Sequence, residues 1–401
     1  GSGELNERAE WEEFDESTAV LVMTHSRAAY LERALWSLGR AHPGSGDRGL
    51  PVVVSQDCQE ERHEDVDAEV ARFQDEMDGR MEVQHWHHDV PYQERVDQHM
   101  FINVAAYTKI ALHYRWALAR IFEQRVGSEQ RLATDGLGGN ATTSEGQGGW
   151  RFQRVIILED DMEVAEDFFD LFRGTYRLLE RDRTLFCVSA WNDNGKAHLV
   201  SDPAQLYRTD FFPGLGWLLT RRLWDEELRD KWPKQFWDDW IRHPDQMKGR
   251  QSIRPEISRT LNFGQRGVSK AADFERHISA VVLNTYPIQF SALDLHYLQH
   301  DQYLDMFYSR LSNATIMKYS TYAHRYRRDN DIVVRYLRGK LGPVGNRFGI
   351  MDDHRGGVWR TAYREIVSFP FNGKWCFLVP KDYEETGLLP PGYRIGNDMC
   401  C

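Results

Sequence analysis

Val155-Ile-Ile-Leu-Glu-Asp-Asp161 is a run of four apolar residues that ends on three consecutive carboxylates. Apolar residues without polar alternation read as a strand buried on both faces. The flanking sequence repeats that reading. Upstream, Ala19-Val-Leu-Val-Met23 and Pro51-Val-Val-Val54 are strands of the same kind, and Met81 to Trp86 is another. Between them, Ala28 to Arg40 carries Leu31, Ala34, Leu35 and Leu38 at helical spacing. Glu64 to Met77 and Phe101 to Arg125 read as further helices. Downstream come a helix from Ala165 to Glu180 and a strand from Leu185 to Ala190. Alternating strands and helices predict an α/β protein whose mostly parallel sheet is covered on both faces. In such sheets ligands bind beyond the carboxyl ends of the strands, which is where Glu159-Asp160-Asp161 falls.

A chain of 401 residues favours two domains. Beyond about Ala280 the expected strands shorten: Val281 to Tyr286, Ile332 to Leu337, Ile366 to Phe371 and Trp375 to Val379. The expected division is a lead over 1–17, a catalytic domain over 18–279 and a smaller C-terminal α+β domain over 280–401. Gly1-Ser2-Gly3 reads as a cloning scar, and an acidic stretch follows it. Gly127 to Gly149 is rich in Gly, Ser and Thr and reads as a surface insert. A net charge of −11 argues against a nucleic-acid partner held by the overall field. No run approaches the ~20 apolar residues of a bilayer span. Five cysteines are too few for a disulfide scaffold, and Cys58, Cys187 and Cys376 read as buried free thiols. The sequons at Asn140 and Asn313 permit a secretory location.

Three adjacent carboxylates repel one another unless a cation or hydrogen-bond donors compensate. An oxygen-only set suits a hard divalent ion such as Mn2+ or Mg2+ rather than zinc. The same triplet also reads as a solvated turn opening a helix. In Lys231-Trp-Pro-Lys-Gln-Phe-Trp-Asp-Asp-Trp240, tryptophans frame Asp238 and Asp239, and such a frame would push a carboxyl toward base-like pKa values. If the stretch is helical, only one of the two enters a cleft; alternatively both are solvated on an amphipathic helix. Phe211-Phe-Pro-Gly-Leu-Gly-Trp217 is a loop whose glycines permit close backbone approach. His85 and His87 share one face of a strand, but no Cys or His partner at ligand spacing accompanies them, so a surface strand is the expectation. There is no Gly-x-Gly-x-x-Gly or P-loop pattern, and no serine in a nucleophile-elbow setting.

Several long strings together resemble the N-acetylglucosaminyltransferase I family. They are Val155 to Phe169, Cys187 to Lys196, Leu206 to Trp217, Trp232 to Trp240 and Ile253 to Thr260, in that order. The resemblance runs from about Val20 to Gly373 and is densest from Val155 to Ser269. It implies a GT-A type nucleotide-sugar domain and inverting transfer of GlcNAc from UDP-GlcNAc. The product would be a β-1,2 linkage on the α-1,3-linked mannose of an oligomannose N-glycan, made in the Golgi lumen by a type II membrane protein whose anchor this chain lacks. The protein O-mannose β-1,2-N-acetylglucosaminyltransferase shares the core and is an alternative, as are a glycoside hydrolase working through Asp161 and Asp238, and a lectin. The resemblance implies Asp161 as the Mn2+ ligand, with Glu159 and Asp160 on the donor's sugar and ribose. It implies Arg27, Asp57 and His113 as nucleotide contacts, and Val268 and Ser269 in a loop that closes over the donor. It implies Asp238 as catalytic base, with Leu215 and Trp237 at the substrate. The family's disulfides are not expected here, because the positions facing Cys58 and Cys187 resemble His25 and Ser252.

Overall fold

The computed structural model describes residues 11–43, 50–58, 62–89, 102–124, 151–265, 277–317 and 330–397. The 127–149 insert, Asn140, Val268, Ser269, Cys400 and Cys401 lie outside the described residues. The central sheet has eight strands in the order β3-β2-β1-β4-β8-β6-β9-β7. They are β1 (Thr18–Thr24), β2 (Val52–Asp57), β3 (Val83–His88), β4 (Arg154–Glu159), β6 (Leu185–Ser189), β7 (Leu206–Thr209), β8 (Trp217–Thr220) and β9 (Gln251–Pro255). β5 (Met162–Val164) pairs separately with β10 (Thr260–Asn262).

All seven residues of β1 are buried, and their alternation shows why the run has no polar positions. Val20 and Val22 pack into one core with Leu31, Leu35 and Leu38 of the helix Ala28–Ala41. Ala19, Leu21 and Met23 pack into the other with Leu118 and Ile121 of the helix Ile102–Phe122. Each such side chain contributes about 1.5–3 kcal/mol of burial. The parallel half, β3-β2-β1-β4, follows the expected α/β pattern. β8 departs from it, inserting antiparallel between β4 and β6.

A second sheet has the order β11-β12-β17-β16-β15, built from Thr315–Met317 (β11), Ile332–Tyr336 (β12), Ala362–Tyr363 (β15), Ile366–Phe371 (β16) and Lys374–Pro380 (β17). The hairpin His354–Arg355 (β13) and Val358–Trp359 (β14) stands apart from it. One apolar core runs from Val20 and Leu35 through Phe172 to Phe307, Phe377 and Tyr383, so both sheets share it. The expected strand at Val281 to Tyr286 is absent. Val281 and Leu283 make single bridges to Lys196 and Ser258, and the Asn284 amide binds Asp167 and the Tyr286 carbonyl instead of a ladder. In the lead, residues 11–17 form a helix whose Phe14 is fully buried. Asp15 pairs with Arg173, and Glu13 with Arg154.

Cys187 and Cys376 are buried free thiols, and Cys58 is a half-buried one. The Cys187 thiol faces the Ser252 hydroxyl at 3.4 Å, as the sequence comparison of positions predicts. Among the described residues no helix is long and apolar enough to cross a membrane.

Candidate active site

The carboxyl ends of β1, β2 and β4 lie side by side, since Thr24 registers with Gln56 and Met23 with Glu159. The chain leaves β4 at Glu159, and the Asp160 amide is caught by the Met23 carbonyl at 3.0 Å. That bond turns the triplet across the end of β1. Asp160 and Asp161 are buried. Asp160 accepts from the Thr24 hydroxyl at 2.8 Å and from the Arg27 guanidinium, which also reaches Asp161 Oδ2 at 3.1 Å. Glu159 accepts from the Tyr114 hydroxyl at 2.7 Å. Arg27 stands in the short link between β1 and the following helix, with its guanidinium over the Tyr30 ring.

Three carboxyls against one guanidinium leave excess negative charge in a poorly hydrated place. Glu159 is only partly covered as a residue, yet burial of its carboxyl and then the Asp161 charge raise it to about 7. Burial raises Asp160 to about 6 even with Arg27 alongside. Oxygen atoms held this way suit a hard cation. The structure also keeps room at Asp161. Gly264 follows β10, and a Cβ there would fall within 2.9 Å of Asp161 Cγ and collide with its Oδ2. The loop is fixed by bonds from Phe263 N to the Asp161 carbonyl at 3.0 Å and from Gly264 N to Asn262 Oδ1 at 3.0 Å.

Asp57 ends β2 and His88 ends β3, and the two meet at 3.3 Å. Burial opposes ionisation of Asp57, but His88 and the neighbouring imidazoles outweigh it and the pKa is lowered. His113, from the helix Ile102–Phe122, stacks on His88 with ring centroids 5.1 Å apart and bonds Ser55 Oγ at 2.8 Å. Burial drops His113 to about 3, so it is a neutral ring at neutral pH.

Asp238 opens the short helix Trp237–Arg242, entered through Phe236 at φ 50°. The expected apolar frame does not surround its carboxylate. Trp237 turns inward, stacked on Tyr114, Trp217 and Trp232 at 4.4, 6.1 and 5.8 Å. Asp238 is 39% exposed and pairs with Arg242 at 2.7 Å, while Asp239 meets the same nitrogen at 3.1 Å. A one-turn helix sends Trp237 to the core and the acids to its solvent side. Even so, the charges of Glu159, Asp161 and Asp238 all act on the Tyr114 hydroxyl, which burial raises well above its ordinary pKa. Leu215 sits between Gly214 and Gly216, all three with positive φ (49°, 67° and 89°). Its carbonyl accepts from Thr260 Oγ1 at 2.8 Å, and a Cβ at Gly216 would lie 2.7 Å from Thr260 Cγ2.

Arg27 is thus brought into direct contact with Asp160 and Asp161, beside Glu159, with Asp57 at the neighbouring strand end and His113 on the helix Ile102–Phe122 next to it. Sequence reasoning missed Thr24, Tyr114, His88 and Asn262. Tyr114 offered a signal, since it follows His113 directly. The His85-Trp-His-His88 run forms the half-buried edge strand β3. Asp67, from the helix Glu64–Glu76, lies over His85 and His87 and supplies the partner that chain spacing did not reveal.

Comparison with known proteins bears on these residues. The sequence pattern of the GNT-I family matches residues 4–137 and 148–388. An Arabidopsis thaliana relative, an alpha-1,3-mannosyl-glycoprotein 2-beta-N-acetylglucosaminyltransferase, is 36% identical over 367 residues, which are 91% of this chain and 74% of the relative. Among solved structures, a mannosyltransferase of Pyrobaculum calidifontis in complex with GDP-Man and Mn2+ is 14% identical, covering 63% of this chain and 60% of its own, with a TM-score of 0.33. Staphylococcus aureus TarS (residues 1–349) is 10% identical, covering 54% of this chain and 50% of its own, with a TM-score of 0.29. With the pattern matched on both sides of the triplet and the relative aligned over nearly the whole chain, this protein belongs to the GNT-I family of glycosyltransferases.

Proposed function

We propose that the chain transfers GlcNAc from UDP-GlcNAc, in β-1,2 linkage, to the α-1,3-linked mannose of an oligomannose N-glycan on glycoproteins. The observation that carries the reading is the buried Glu159-Asp160-Asp161 turn at the end of β4, in a chain of this family. The hydrolase and lectin alternatives are not favoured by that membership.

Asp161, kept clear by Gly264, would hold a Mn2+ ion. When bound, that ion supplies positive charge for the departing diphosphate. Arg27 offsets charge on Asp160 and Asp161 and meets the nucleotide. Glu159 and Asp160 accept from donor hydroxyls on the sugar and ribose. Asp57 and neutral His113 present an acceptor and an imidazole to the base, with His88 and Ser55 fixing their orientation. Val268 and Ser269, which lie outside the described residues, would be donor contacts by the family resemblance. Leu215 meets the reacting sugars, Trp237, packed in the core, acts only by holding the helix that carries Asp238, and Asp238 takes the proton from the attacking mannose hydroxyl. Inverting transfer is one displacement, so a single base in line with the leaving group suffices.

The Golgi lumen is the compartment this reaction implies. The division into 18–279 and 280–401, after the lead over 1–17, fits the two sheets, whose strands fall within 18–255 and 315–380. The test is incubation with UDP-GlcNAc and Mn2+ against an oligomannose N-glycan and an O-mannosyl peptide. GlcNAc should appear on the N-glycan's α-1,3 mannose. Transfer to neither acceptor would sink the assignment, and transfer only to the O-mannosyl peptide would move it to that alternative.

A further inference from the structure

We propose that Asp67, His85 and His87 form a second cation site, of the borderline transition-metal class that Zn2+ represents, separate from the carboxylate triplet. Strand alternation sets His85 and His87 on one face of β3, the edge strand of the central sheet, and their rings lie 4.2 Å apart. Asp67 Oδ1 reaches His87 Nε2 at 2.8 Å and His85 Nε2 at 3.8 Å. One ligand atom from each of the three residues lies within 4.8 Å of the others.

Tetrahedral zinc with bonds of about 2.0–2.2 Å sets ligand-to-ligand edges of about 3.3–3.6 Å. The two measured separations bracket that value, so small side-chain movements complete the set. Gln56 Oε1 accepts from His85 Nε2 at 3.0 Å, so metal binding at that nitrogen requires the ring to give up this bond and move its proton to Nδ1. Arg62 binds Asp67 Oδ2 at 2.5 Å and leaves Oδ1 to the imidazoles. Its side chain is 62% exposed, so water and salt screen its charge.

The site is distinct from the triplet in place and in chemistry. β2 and β1 stand between β3 and β4, so three strand spacings of about 4.8 Å put roughly 14 Å between the two. Imidazole nitrogens select Zn2+, Cu2+ or Ni2+, whereas carboxylate oxygens alone select Mg2+ or Mn2+. A bound ion would tie the edge strand to the helix Glu64–Glu76, one residue before the His88 that meets Asp57.

The experiment is calorimetric titration of Zn2+ into the chelator-stripped full chain, in the parent and in Asp161→Ala, which removes the ligand proposed for the other ion. One Zn2+ per chain should bind in both, and affinity should fall at least tenfold in His87→Ala and in Asp67→Asn. Co2+ in place of Zn2+ should show ligand-field absorption that both variants lose. His87 is the more exposed imidazole, so metal-free His87→Ala should match the parent in circular dichroism. If it misfolds, Asp67→Asn carries the same readout. Zn2+ affinity unchanged in these variants, or no Zn2+ bound by Asp161→Ala, overturns the site.

Discussion

The ring of Tyr114 lies 4.4 Å from that of Trp237, stacked at 28°, while its hydroxyl donates to Glu159 at 2.7 Å. One buried side chain thereby joins the carboxylate triplet to the helix that carries Asp238. The helix Ile102–Phe122 supplies Tyr114 and His113 from adjacent positions, so a single element braces both the triplet and the Asp57 side.

Tyr114→Phe separates the two functions of that residue. The stack on Trp237 survives, and Glu159 loses a buried donor, an effect of about 1–3 kcal/mol. UDP-GlcNAc binding should weaken roughly tenfold or more while thermal unfolding shifts only slightly. Unchanged donor affinity would show that the bond does not organise the site.

Gly264→Ala tests the space around Asp161. The added methyl must push the Asp161 carboxylate or the loop after β10 aside, because it collides with Oδ2. Mn2+-dependent donor binding should be lost while circular dichroism stays native. Full donor binding by Gly264→Ala would mean that the loop yields without moving Asp161.

Asp161→Ala, or EDTA with the parent chain, should abolish donor binding and turnover together. Titration of UDP-GlcNAc with and without Mn2+ reads the effect directly. Full affinity in EDTA would remove the ion from the proposed chemistry.

Much of this site is legible in the sequence because the parallel strands are continuous apolar runs. Val155 to Leu158 and Ala19 to Met23 announce their own burial on two faces, and the triplet inherits its place from β4. The short strands are not legible. Leu206-Tyr-Arg-Thr209 and Thr260-Leu-Asn262 are three or four residues long and carry polar side chains that pair inside the fold. Arg208, for example, is fully buried against Asp182. Partners supplied by packing, such as Asp67 over His85 or Tyr114 under Glu159, depend on how a helix sits on the sheet. Chain spacing carries no record of that.

His42 gives the fold a pH dependence away from the site. Burial, with a smaller push from Arg173 and Arg80, lowers its pKa from 6.5 to about 4, and its Nε2 bonds the Leu50 carbonyl at 3.0 Å. A depressed folded pKa on a base means that the contribution is fully present above pH 6.5 and lost as pH falls through about 4. The loss is on the order of 3 kcal/mol at most. Urea unfolding at pH 7 and pH 4.5 should show the drop, and His42→Gln should shrink the difference. An equal difference in both proteins would place the acid sensitivity elsewhere.

Asp238 and Asp239 remain the closest contest in the site, since both reach the same Arg242 nitrogen, at 2.7 and 3.1 Å. Their remaining contacts differ. Asp239 is also tied to Arg355 at 3.5 Å, on the β13 hairpin, whereas the charge of Asp238 acts on Tyr114 together with those of Glu159 and Asp161. Asp239 is thus tied to the hairpin, and the proposed base role stays with Asp238, whose charge reaches the buried Tyr114 hydroxyl. Loss of a positioned base costs roughly a hundredfold to ten-thousandfold in rate. Asp238→Asn should lose kcat by that amount and keep UDP-GlcNAc affinity, because it removes neither the ligand proposed for the ion nor a nucleotide contact. Asp239→Asn should keep most of its turnover and show, at most, a small shift in unfolding from the weakened tie to Arg355. If Asp239→Asn is the inactive variant and Asp238→Asn turns over normally, the proton goes to the carboxylate beside Arg355 instead.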